Sequence, residues 1–395
     1  MILIIAARRS WLLSLVLLAG CQIMPYRPQQ AAAPAAVAPA THQPLATHTF
    51  NLDDTTGNVV GELQVTKAQA EDTLPDIARR FNLGYEEIVR ANPGVDPWLP
   101  GDGTEIVLPT QFVLPDAPRK GLVINLAALR VYYFPPHQDG KPQQVITHPI
   151  GIGKVGWSTP EGVTKVTSKR KDPVWTPPLS VRKEHKENGD PLPARVPPGP
   201  DNPLGAYMMT LGWPSYLVHG TNKPYGVGMR SSHGCIRLYP EDIALLFNDI
   251  PIGTEVRVVN QPLVYGWHAD NLYVQVFPAL EDDSGKTSQA GPAPLNAAIS
   301  DHLGEQATQH NAVADLDLVN TLAVERRGVS VPVSKRGTTT ATVIAASRRV
   351  ENRIPAGATW NGEEGLLVSA ETYEAARTGA KPKAAKKPPA ATSGT

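Results

Sequence analysis

From Gly121 onward the chain breaks into short segments rich in β-branched and aromatic residues, most of them closed by Gly, Pro or Asp. That texture excludes a helical fold for the central part of the molecule. The segments 122–126, 129–134, 145–149, 207–211, 255–259 and 272–277 read as strands. Proline supplies 39 of 395 residues, about twice its usual ~5% share, which suits rigid connections between strands and linkers. One helix stands out, with Pro240 near its first turn and Ile243, Leu245, Leu246 and Phe247 as its apolar positions. The expectation is a mostly β domain over 119–260 with a single helix after Cys235.

Ahead of it lies a stretch with helical periodicity. Asp72 and Thr73 offer an N-cap, and Leu74, Ile77, Ala78 and Phe81 recur at helical spacing. A second helix over 85–91 sets Ile88 against the first, and Asn92-Pro93-Gly94 stops it. Leu99-Pro100-Gly101-Asp102 then turns into a strand at 105–109, so 63–110 reads as a small α+β unit ordered strand, helix, helix, strand. Beyond about residue 279 the composition shifts to Ala, Ser, Thr, Gly and charge. A weak helix at 313–326 and a strand at 329–333 predict an extension over 261–340, partly docked on the β domain, followed by a low-complexity tail over 341–395. Lys381, Lys383, Lys386 and Lys387 read as solubilising charge in that tail.

Arg8 and Arg9 precede a short apolar run that closes on Leu18-Ala19-Gly20-Cys21, the pattern of a secretory signal over 1–20. The run is shorter than the about 20 apolar residues a bilayer span takes. The following Ala/Pro/Gln-rich stretch, 21–47, buries too little to fold and reads as a tether. Cys21 at the cut position resembles the lipidation site of bacterial lipoproteins. In that family Gln22, rather than Asp, at the next position implies sorting to the outer membrane. Lipid on Cys21 leaves Cys235 without a partner among the chain's 2 cysteines. A lone thiol in an exported protein is a liability unless its reactivity is used. The formal charge of +0, with no dominant basic block, argues against nucleic acid as a partner.

To attack an amide, a thiol must become a thiolate, which calls for a base or cation to lower its pKa from about 8.5. It also needs donors for the oxyanion and a glycine that lets substrate approach the backbone. Ser232-His233-Gly234-Cys235-Ile236-Arg237 offers candidates for each need. A second imidazole, His219, follows the apolar Tyr216-Leu217-Val218, and the glycine-rich stretch 220–230 can fold it back onto Cys235. Either histidine is a possible base. No metal is implied, since histidines with a single cysteine do not make a closed zinc set.

His219-Gly220-Thr221-Asn222 followed by Ser232-His233-Gly234-Cys235-Ile236-Arg237 resembles the signature of the L,D-transpeptidase (YkuD-type) catalytic domain. Gly151-Ile152-Gly153-Lys154 and Asp201-Asn202-Pro203-Leu204-Gly205 extend the likeness. The resemblance implies a β-sandwich and a cysteine acyltransferase acting on peptidoglycan. Cys235 takes the third residue of a donor tetrapeptide stem as a thioester, releasing D-Ala. The acyl group then passes to an amine of another stem or of an outer-membrane lipoprotein lysine. In this reading His219 is the base, Gly220 its orienter and His233 a pocket wall, while the amides of Gly234 and Cys235 serve the oxyanion. Ser232, Thr221, Asn222 and Arg237 line the substrate site, with Arg237 pairing with a stem carboxylate or holding the loop. No cofactor is implied. The unit at 63–110 resembles a LysM module, through Glu71-Asp72-Thr73-Leu74, Asn92-Pro93 and Leu99-Pro100-Gly101, which implies glycan binding. Together these predict a lipid-anchored periplasmic enzyme on the inner leaflet of the outer membrane. A hydrolase using the same cysteine, and a non-catalytic wall-binding lipoprotein, are the alternatives.

Overall fold

A strand buried on one face alternates in burial, whereas one buried at every residue must be covered on both sides. Gly121–Asn125 and Arg130–Phe134 are buried throughout, and two layers cover them. The protein is seen here as a computed structural model that describes residues 42–45, 47–52, 57–280, 297–356 and 358. The expected leader, Cys21, nearly all of the tether and the lysines from 381 onward lie outside the described residues.

The first layer is the N-terminal unit. Thr73 caps helix α1 (Leu74–Arg80) through a capping box with Asp76, and α2 (Tyr85–Ala91) follows after the four residues Phe81 to Gly84. Asn92 ends α2 and ties it to the strand Glu105–Leu108: its amide donates to the carbonyls of Ile88 (2.8 Å) and Val107 (2.9 Å), and its carbonyl accepts from Val107 N (2.7 Å). Glu105–Leu108 pairs with Gln64–Lys67. Leu74, Ile77, Phe81, Ile88 and Phe112 share one core with Val123, Tyr132, Phe134 and Val145 of the central sheet. The other face of those strands, Leu122, Ile124, Val131 and Tyr133, forms a second core. A sequence of odd and even positions thus feeds two cores.

The sheet has nine strands, in the order Thr49–Leu52, Gln143–Pro149, Arg130–Phe134, Gly121–Asn125, Glu255–Val259, Gly162–Lys171, Tyr207–Leu211, Leu217–His219 and Ile236–Arg237. Its first strand comes from ahead of the N-terminal unit and pairs Thr49 with Ile146 and Leu52 with Gln143. The central domain holds two α-helices rather than the single one expected. Helix α3 (Leu179–Glu187) buries only Val181, so it carries no apolar stripe to betray it. Helix α4 (Pro240–Asp249) buries Ile243 and Leu246 in the second core.

Two corrections concern the C-terminal region. The hairpin Leu263–His268 and Asn271–Val276, with Val331–Pro332, forms its own three-stranded sheet. Helices α5 (Ala297–Gln309) and α6 (Leu316–Glu325) accompany it. Its core residues Leu272, Val274, Leu303 and Leu322 meet Leu63, Ala91 and Val107, so the extension docks mainly on the N-terminal unit rather than on the catalytic domain. The low-complexity tail does not begin at 341 either. Helix α7 (Thr340–Ala346) is followed by Arg348–Arg349, which adds to the N-terminal sheet in parallel with Gln64 and Val65.

Candidate active site

Leu217–His219 runs antiparallel to Tyr207–Leu211 and parallel to Ile236–Arg237, with Val218 opposite Ile236 and His219 opposite Arg237. Opposed residues share a sheet face, and so do residues two apart on one strand. This register gathers His219, Arg237 and the thiol-bearing end of the second strand. His219 and Arg237 pair across it, and the Arg237 charge acts on both His219 and Cys235.

The loop carrying Cys235 is stapled from within. Ser232 Oγ donates to the Cys235 carbonyl at 2.6 Å and accepts from Gly234 N at 3.2 Å. Thr159 Oγ1 donates to the Gly234 carbonyl at 2.8 Å and accepts from Gly153 N at 3.2 Å. Gly234 has φ +100°, and a Cβ there would stand 2.8 Å from Tyr216 Cε1, so only glycine fits. Ser232 Oγ occupies the Gly234 amide, which corrects the expectation of two equivalent oxyanion donors and leaves the Cys235 amide as the candidate.

His219 is buried, and its Nδ1 lies 2.6 Å from the Gly220 carbonyl. Since a carbonyl only accepts, Nδ1 carries the proton and Nε2 is the free base position. Burial first, and then the Arg237 charge, push its pKa down to about 3 against the pull of Gly220. Cys235 Sγ lies 3.6 Å from the Ser215 carbonyl, its acceptor in the free protein. Burial pushes its pKa up, while the Leu217 amide and the Arg237 charge act the other way. The sequence argument called for a lowered thiol pKa; desolvation wins instead, because the motif says nothing of how deeply the loop is covered.

The sign has a measurable consequence. A thiol raised and an imidazole lowered are both neutral at neutral pH, so the ion pair is not the resting state. Alkylation of Cys235 by iodoacetamide is therefore expected to rise with pH along a curve centred above the ~8.5 of free cysteine. Loss through protonation of His219 begins only near the pKa of about 3. A midpoint below that of free cysteine would mean a preformed thiolate and overturn this assignment.

His233 stands differently. Its Nε2 lies 2.8 Å from Glu184 Oε2 on α3, and its ring meets Trp157 edge-on at 4.8 Å. Lys154 bonds the other oxygen of Glu184. Although burial opposes it, the hydrogen bonds from Lys154 and His233 hold Glu184 below its usual range. Burial and the Lys154 charge lower His233, and Glu184 pulls it back up.

Arg237 donates through Nη1 to Ser231 Oγ at 3.2 Å, while its buried Nε has no hydrogen-bond partner among the described residues. Thr221 and Asn222 are spent on the loop: Thr221 Oγ1 accepts from Lys223 N at 2.9 Å, and Asn222 reaches the Asp201 carbonyl at 3.2 Å. Among the described residues no group of three or more His, Cys, Asp or Glu side chains could hold a metal ion. A cavity of about 940 Å³, lined by Tyr133, Trp213, Lys165 and Thr254 among others, excludes Cys235. Thr159, Ser215, Tyr216 and Glu184 are the site residues that sequence reasoning missed.

A family model described as the L,D-transpeptidase catalytic domain matches residues 119–258. The chain is 37% identical over 306 residues to the probable L,D-transpeptidase YcfS of Escherichia coli K12, covering 76% of this chain and 92% of that one. It is 42% identical over 236 residues to the probable L,D-transpeptidase YbiS of the same strain, covering 59% and 76% respectively. Among solved structures, the catalytic domain of the Enterococcus faecium L,D-transpeptidase aligns at 26% identity, with 37% of this chain and 100% of that one covered, at a TM-score of 0.26.

Proposed function

The chain belongs to the L,D-transpeptidase family, and from that membership we propose that Cys235 carries the acyl group of a peptidoglycan stem through a thioester. The register that sets His219 opposite Arg237 beside the nucleophile's loop carries this reading. The protein is an L,D-transpeptidase acting on peptidoglycan. Its thiol passes a proton to His219 Nε2 as sulfur attacks the carbonyl of the third stem residue. The C–N bond to D-Ala breaks, the leaving amine takes that proton, and the thioester remains. An acceptor amine then forms a new amide and returns the thiol. The Cys235 amide faces the oxyanion; such a donor contributes about a hundredfold or more in rate. Arg237, with an unsatisfied buried Nε, takes a stem carboxylate in a charge-assisted contact.

The acceptor is an amine of a second stem or of an outer-membrane lipoprotein lysine, and the N-terminal unit contacts glycan in the manner of a LysM module. Lipid on Cys21 holds the enzyme in the periplasm at the outer membrane. Mass spectrometry of muropeptides incubated with the protein, with and without each acceptor, tests the reading. A new crosslink or lipoprotein conjugate is expected; D-Ala release with water as the only acceptor would instead mark a carboxypeptidase.

The histidines separate in the same assay. His219→Ala is expected to cut turnover by about 10²–10⁴, the usual range for a general base, and His233→Ala by roughly tenfold or less, since its bond to Glu184 makes it a pocket wall. The reverse ranking would exchange their roles.

A further inference from the structure

Residues 220–229 join the base-bearing strand to the strand entering the nucleophile's loop, and they reach the N-terminal unit at one point. The first turn of α2 presents amides that no helical carbonyl can satisfy. Two of them find partners in this loop: Tyr85 N donates to the Val227 carbonyl and Glu86 N to the Gly228 carbonyl, each at 3.2 Å. The backbones touch there. A Cβ on Gly228 would fall 2.4 Å from Gly84 Cα, and one on Gly84 would fall 2.6 Å from Gly228 Cα. Gly228 also has φ +83°. The Tyr85 ring packs against Met229 beside the same contact.

The helix end is itself anchored. Glu87 caps α2 by accepting from Gly84 N at 2.7 Å, and Arg130 binds Glu87 through Nε at 2.7 Å and Nη2 at 3.0 Å. Arg130 also donates to the Asn82 carbonyl at 2.7 Å. On the far side the loop meets the site directly. A Cβ on Gly226 would lie 3.0 Å from Arg237 Nη1, Ile152 N donates to the Met229 carbonyl at 3.0 Å, and Tyr225 faces the Arg237 charge.

We propose that the N-terminal unit is a working part of the active site: the Tyr85 and Glu86 amides of α2, aimed by the Glu87–Arg130 pair, hold the loop that positions Arg237 and the approach to Cys235. These are positioning groups, acting through the loop and not on the substrate. The proposal rests on the assignment of Cys235 as the nucleophile that releases D-Ala.

One amide can be removed alone. Proline is tolerated in the first turn of a helix, so Glu86→Pro deletes the donor to Gly228, whereas Glu86→Ala keeps it. In the full chain, Glu86→Pro is expected to lower kcat for D-Ala release about tenfold, the equivalent of ~1.4 kcal/mol, with KM changed less. Glu86→Ala should lose less than twofold. The pH midpoint of Cys235 alkylation by iodoacetamide should move in the proline variant and not in the alanine one. Should Glu86→Pro fail to fold, Gly84→Ala wedges the same contact at a residue with ordinary φ, −91°. A folded proline or wedge variant whose kcat and alkylation midpoint match those of Glu86→Ala overturns the proposal. Failure of the underlying assignment would look different: the parent protein itself would release no D-Ala.

Discussion

Cys235→Ser is expected to lower D-Ala release by more than about a thousandfold, as loss of a nucleophile does in enzymes whose groups act as a unit, while the melting temperature stays within a few degrees. The two outcomes have separate causes. Serine is smaller by little, and its hydroxyl can donate to the Ser215 carbonyl that accepts from the thiol. The loop's own staples, from Ser232 and Thr159, do not involve the sulfur. The chemistry does depend on it. His219, held neutral with a pKa of about 3 by burial and by Arg237, is a weak base. It can assist a thiol but not a hydroxyl, whose proton is far harder to remove. Quantifying D-Ala from purified stems alongside a thermal melt tests both halves. Retention of more than a few per cent of the activity would remove Cys235 from the mechanism.

Deletion of residues up to Pro115 is expected to unfold the catalytic domain, and with it to abolish turnover. The sequence alone, with a small unit over 63–110 and a β domain beginning at 119, suggests the opposite: two separable parts, the second of which keeps its chemistry. The shared core decides against it. Val123, Tyr132, Phe134 and Val145 are each buried to within a few per cent against Leu74, Phe81, Phe112 and their neighbours. Burial of such side chains stabilises by about 1.5–3 kcal/mol each, so uncovering four approaches the ~5–15 kcal/mol that holds a whole domain folded. The deletion also strips the outer strand Thr49–Leu52 from Gln143–Pro149, and Arg130 loses its partner Glu87. The Arg79 bonds to Glu241, at 2.7 and 2.8 Å, go as well. Near-UV circular dichroism and dye binding on the truncated protein read this directly. A sharp cooperative melt with full activity would show that the sheet stands without its cover.

Cys235 and both histidines stood out as site candidates because Ser232-His233-Gly234-Cys235 is contiguous and because only one cysteine lacked another use. Local periodicity likewise placed α1, α2 and α4. Thr159, Ser215 and Glu184 enter the site from polar stretches with no periodic signal. The ten-residue strand Gly162–Lys171 was missed for the same reason, since it buries only Val166. The runs Leu122-Val123-Ile124 and Val131-Tyr132-Tyr133 did carry the missing information, for an unbroken apolar strand asks what covers its second face. The thiol pKa was beyond reach, because desolvation depends on what folds over the loop and not on the motif.

The pairing of Arg348–Arg349 with Gln64 and Val65 bears on the order in which the molecule can be made. Thr66 Oγ1 donates to the Val350 carbonyl across 284 residues of chain, and Asn352 binds Asp72, Arg80 and the Lys67 carbonyl. Synthesis proceeds from the N-terminus, so the unit that emerges first waits for nearly the whole chain before its sheet closes. Throughout that interval the Gln64–Lys67 edge is an open template for pairing with another chain, and the nascent protein is most exposed to aggregation. The first part born is the last part finished.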